Sequence, residues 1–139
     1  MGLKGDMTIV NQPQVSPVIE GGRKYKLENE VTYLIGNEKI VIFPGYIFDG
    51  ASVPRFLHWF IGPMDPRVVA SSLIHDAQYT NPNLKGVGQY YLNDVPTDKR
   101  FTKEEADLLF KKANKANNMD RTRTTLAYWA VKLFGRGNF

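Results

Sequence analysis

The chain has 139 residues, 42% of them hydrophobic and 23% charged, with a formal net charge of +4 and no cysteine. That length suits one domain with a genuine core, and the composition is too apolar for a disordered tail. Lack of cysteine excludes disulfides, thiolate metal sites and cysteine nucleophiles, and no apolar run nears the roughly 20 residues of a membrane span.

The start, "MGLKGDMTIVNQPQ", lacks the charged opening and continuous apolar stretch of a signal peptide. Residues 1–22, with Pro13, Pro17 and Gly21-Gly22, read as an N-terminal arm able to grip a neighbour, and residues 23–139 as a single α+β domain. From Arg23 to Phe48, β-branched and aromatic residues alternate with polar ones, which predicts strands, with "GNEK" as the hairpin turn between "EVTYLI" and "KIVIF".

After Asp49 the pattern becomes helical. "SVPRFLHWFIG" has Ser52 to cap, Pro54 in the first turn and Gly62-Pro63 to stop. A second helix is predicted from Pro66 to Thr80, capped by Asp65. "NPNLKGVGQYYLNDVPTDKR" then reads as a loop with room for a small hairpin. A third helix opens on Thr102 and Glu105 in capping-box spacing and carries Ala106, Leu109, Phe110 and Ala113 on one stripe. A fourth runs from Asp120 through Leu126, Trp129, Ala130, Leu133 and Phe134 to Gly135. The expected fold is α+β: N-terminal antiparallel strands followed by three to four packed helices.

Charge is uneven, with residues 1–98 at −2 and residues 99–139 at +6. The C-terminal cations are scattered among Asn and Thr without interleaved aromatics, so a solvated helical surface is expected there and nucleic acid is not.

The unusual stretch is "SSLIHDAQYT", residues 71–80. At 100° per residue, Val69, Ala70, Leu73, Ile74 and Ala77 share an apolar face, while Ser72, His75, Asp76 and Tyr79 gather roughly opposite. Histidine titrates near neutrality and suits general-base chemistry once a partner fixes its tautomer. Asp76 points about 100° away from His75 around the helix, so the orienting carboxylate should come from another helix. Asp107 is the best placed, at the border of the third helix's apolar stripe. Asp76 is then free for a different task, such as binding a hard cation. Asp49, in "FDGASVP", makes a turn and is the second candidate ligand, closing over the same cleft. His58, beside Trp59, reads as a core or cleft-wall residue.

Two resemblances follow from these residues. His75, Asp76 and Tyr79 on one helix with Ala106, Asp107 and Phe110 on the next resemble the paired-helix site of the secreted phospholipase A(2) superfamily. That resemblance implies that His75 activates water, Asp107 orients it, Tyr79 supports the network and Asp76 binds calcium. The segments "FDGASVPRFLHWFIGP", "LIHDAQY", "KEEADLLFKKA" and "YWAVKLFG" together resemble an uncharacterised domain family of bacteriophage and prophage genomes. This implies a phage origin and a place in the virion, made in the host bacterial cytoplasm, with other phage structural proteins as partners. A competing pattern, the His-Asp phosphohydrolases, would use His58, His75, Asp76 and Asp107 on metal. The expected function is a small virion-associated protein of the tail or of the machinery for entering the host, acting as a His/Asp hydrolase on host envelope lipid or cell wall. The alternative is a non-catalytic structural or assembly protein of tail or capsid.

Overall fold

The computed structural model describes residues 3–18, 24–49 and 66–117. Their elements, in chain order, are β1 (Met7–Ile9), β2 (Val15–Val18), β3 (Lys24–Leu27), β4 (Val31–Ile35), β5 (Glu38–Ile42), β6 (Ile47–Asp49), α1 (Pro66–Thr80), β7 (Gly88–Leu92), β8 (Val95–Thr97) and α2 (Lys103–Ala116).

The strands make two antiparallel sheets, one of five strands in the order β1-β4-β5-β7-β8 and one of three in the order β2-β3-β6. The β4–β5 hairpin pairs Ile35 with Glu38, so its loop is Gly36-Asn37, with Gly36 at φ +58° in the left-handed region that glycine enters without steric penalty. In β7–β8, Leu92 pairs with Val95. Asn93 and Asp94 both have positive φ, 52° and 64°, the requirement of a two-residue hairpin turn that matches strand twist.

Period-two alternation sends Val31, Tyr33 and Ile35 of β4 and Ile40 and Ile42 of β5 into the core, where they join Ala70, Leu73, Ile74 and Ala77 of α1 and Leu109 and Ala113 of α2. The Tyr33 hydroxyl donates to the carbonyl of Ala70 at 2.6 Å, tying the sheet to α1. Glu38 is also turned inward. Its carboxylate accepts from the Tyr90 hydroxyl at 2.5 Å and from the backbone N–H of Leu3. α2 has its expected capping box, with Thr102 Oγ1 accepting from Glu105 N at 3.1 Å and the Glu105 carboxylate accepting from Thr102 N at 3.0 Å.

This order corrects the expected fold class. Among the described residues there are eight strands in two antiparallel sheets and only two helices, a mostly β arrangement, in place of N-terminal strands followed by three to four packed helices. β7 and β8 lie between the helices in sequence and extend the main sheet beyond β5. They form the small hairpin for which the Gly-, Asn- and Pro-rich stretch left room. The neighbour β5 supplies the pairing that makes them strands, a contribution local propensity does not contain. The expected helices near residues 52–62 and 120–134, and His58, lie outside the described residues.

The segment expected as an arm enters both sheets. β1 pairs with β4, β2 pairs with β3, and Leu3 and Met7 are buried in the core.

Gly88 stands where β7 leaves no room for a side chain against β5. A Cβ there would lie 2.3 Å from the carbonyl oxygen of Val41, a backbone atom that cannot swing away. Gly88→Ala is therefore expected to push β7 from β5 and lower stability by about 1–3 kcal/mol. Urea unfolding measures this, and a change below about 0.5 kcal/mol would show that the strands yield without penalty.

Candidate functional site at the seam of the two helices

α1 and α2 pack against each other, and the residues of interest lie between them. Val69 through Tyr79 are all buried except Asp76, which is partly buried. The side of α1 that looked like a polar cleft wall is thus covered by α2. On α2 the buried residues are the predicted stripe, Ala106, Leu109, Phe110 and Ala113, together with two polar ones, Asp107 and Asn114.

Asp107 is the hub. Its Oδ1 accepts from His75 Nε2 at 2.8 Å and from the Tyr79 hydroxyl at 2.5 Å, and its Oδ2 accepts from Lys103 Nζ at 2.8 Å. An ionised carboxylate only accepts, so the proton of a neutral His75 sits on Nε2 and its Nδ1 carries the lone pair. The ring is held by Tyr79, with centroids 4.0 Å apart, and by Phe110 at 5.1 Å. His75 is 0% exposed, and its Nδ1 has no hydrogen-bond partner among the described residues.

Burial holds His75 below its ordinary value. Asp107 pulls it upward and Lys103 pushes it down again, so the ring is neutral at pH 7. Burial acts to raise Asp107, but the bonds from His75, Lys103 and Tyr79 outweigh it and hold the carboxyl below the usual range. The Tyr79 phenol is pushed well up, by burial first and by the Asp107 carboxylate second. The result at pH 7 is an ionised carboxylate beside a neutral imidazole.

A family of proteins of unknown function (DUF1353) matches residues 25–131, most of the chain and all of both helices. The chain belongs to the DUF1353 family. No curated protein and no solved structure matches it. Membership of an uncharacterised family agrees with the expectation from sequence at that level.

In this DUF1353 chain, His75, Asp107 and Tyr79 are brought together. Asp76 has a described partner of its own. Its Oδ2 accepts from the Tyr46 hydroxyl at 2.5 Å, and Tyr46 also meets Thr80 Oγ1 at 3.0 Å. Asp49 ends β6, its backbone paired with Lys24 of β3, and its side chain is outside the description. Calcium takes six to eight oxygens. Among the described residues no three His, Asp or Glu side chains gather where they could hold a metal, so no step is derived through one. A cavity of about 380 Å3, lined by Phe43, Tyr46, Ile47 and Val87 among others, lies on the Tyr46 side and does not reach His75.

Sequence reasoning missed Lys103, Gln78 and Asn114. Lys103 was findable, since it precedes Asp107 by four residues on the same helix face. Asn114 lies two turns beyond Asp107 on the same stripe, where its Oδ1 accepts from the Ser71 hydroxyl at 2.5 Å. Gln78 has a weaker signal, because an amide three residues after a histidine is ordinary on an exposed helix.

Proposed function

We propose that this chain is a hydrolase in which His75 is the general base and Asp107 its orienting carboxylate. The observation that carries the reading is the unpartnered Nδ1 of a ring whose Nε2–H is fixed by a carboxylate. A neutral imidazole in that state takes a proton from water at Nδ1 as the water oxygen bonds the substrate's acyl carbon. It then returns that proton to the leaving oxygen. Tyr79 and Lys103 hold Asp107 ionised through the cycle. The setting proposed is a phage virion, in the tail or the machinery for entering the host, with other phage structural proteins as partners and host envelope lipid or cell wall as substrate. Its support is the resemblance of the "FDGASVP", "LIHDAQY" and "KEEADLLF" segments to phage and prophage sequences. Calcium at Asp76 and Asp49 belongs to the same proposal and rests on the phospholipase resemblance.

A second reading has its own observation. His75 is 0% exposed and Asp107 satisfies three donors at once, which is also how a buried structural network is built. In that reading the protein is a non-catalytic component of tail or capsid.

The experiment is to assay the protein and intact particles on phospholipid, simple ester and cell-wall substrates, with and without calcium. The hydrolase reading expects turnover, and the calcium proposal expects a thermal shift that Asp76→Asn removes. Lack of turnover on every substrate in both forms would leave the architectural reading standing.

A further inference from the structure

The two helices bury more unsatisfied polarity than a dry interior tolerates. Gln78 is 0% exposed, and neither atom of its amide has a hydrogen-bond partner among the described residues. The same is true of His75 Nδ1 and of Asn114 Nδ2, on residues that are likewise 0% exposed. Native interiors satisfy such atoms with protein groups or with ordered water.

The unsatisfied atoms are chemically complementary to water. His75 Nδ1 is an acceptor, because Nε2 carries the proton. Asn114 Nδ2 is a donor, because its Oδ1 is occupied by the Ser71 hydroxyl. Gln78 offers one of each, and it rises from α1 one turn after His75, so the two side chains are neighbours on the helix. We infer that Gln78 is a positioning residue that holds water against Nδ1 of His75. A water that donates one hydrogen to Nδ1 and the other to Gln78 Oε1 keeps its oxygen lone pairs free for attack. An uncharged amide does this without competing for the proton, as a carboxylate at the same place would. The catalytic consequence rests on the hydrolase reading; the bound water itself does not.

The test compares the wild-type chain with Gln78→Met, which keeps length and volume but removes both polar atoms. In the wild type, nuclear Overhauser transfer from water to the Gln78 side-chain amide protons is expected, with the His75 Nδ1 nitrogen resonance in the range of a hydrogen-bonded acceptor. In Q78M that resonance should move toward the unbonded value, and kcat should fall about tenfold with KM changed less than about twofold. A dry seam predicts the opposite pattern: no transfer from water, an unchanged Nδ1 resonance and a variant that melts higher because two unsatisfied atoms are gone. That pattern overturns the inference, and the wild-type spectrum decides it alone if Q78M does not fold. Water transfer in a chain with no turnover would sink the hydrolase reading and its catalytic consequence while upholding the bound water. Turnover without water transfer would sink the inference alone.

Discussion

His75→Gln is expected to lower turnover by at least about a hundredfold, because general-base catalysis typically supplies 10²–10⁴ and glutamine has no basic lone pair to replace Nδ1. The substitution is chosen for what it preserves. A glutamine amide can still donate to Asp107 Oδ1, so the carboxylate keeps its partners from α1, and Tyr79 and Lys103 remain in place. What is lost besides the base is ring packing against Tyr79 and Phe110, so a stability change of about 1 kcal/mol is expected. The measurement is kcat and KM beside thermal unfolding of the same preparation. A wild-type chain without activity, paired with a variant destabilised by roughly 1–3 kcal/mol, would mark His75 as a member of a structural network.

Asp107→Ala is expected to have the largest effect on stability, about 3 kcal/mol or more. It strands the His75 Nε2–H and the Tyr79 hydroxyl inside the seam, since both residues are buried. Lys103 is partly exposed and turns to water, so its loss adds little. Chemical denaturation gives the number, and a loss under about 1 kcal/mol would mean that the seam rehydrates and that Asp107 is not its hub.

The same residues set the acid limb of stability. His75 has a folded value below its unfolded value of about 6.5, so the unfolded chain binds the proton first. Its contribution is full above about pH 6.5 and is lost as pH falls from there to the folded value. Asp107, with a depressed folded value, contributes stability present above the unfolded value of about 3.9 and lost as pH falls through the folded one. Both losses have the same sign. Asp107→Ala should therefore flatten the fall below about pH 4, where the lost carboxylate would have titrated.

Much of the local structure is readable from residue order. The period of the apolar residues and the end signals mark helices at 66–80 and 103–116, and Thr102 and Glu105 form the capping box their spacing announces. Alternation marks β4 and β5 and the hairpin between them. The meeting of His75 with Asp107 is also legible, because an aspartate on the edge of an apolar stripe has to face whatever that stripe packs against. β1, β7 and β8 are less legible, for they are three to five residues long and acquire their pairing from strands distant in sequence.

What the sequence by itself determined is therefore the set of short-range elements and the chemical identity of the seam: one histidine, one aspartate, one tyrosine at helical spacing. Only the tertiary structure decided which side of α1 water reaches. On the polar side, read from periodicity as the wall of a cleft, His75 and Tyr79 lie buried against Asp107 of α2, while Asp76, adjacent in sequence to His75, is partly buried and accepts from Tyr46. The physical reason is that helical periodicity separates two faces without saying what covers either one. The burial and lowered pKa of His75 are properties of the covering, and they exist only once the two helices have closed on each other.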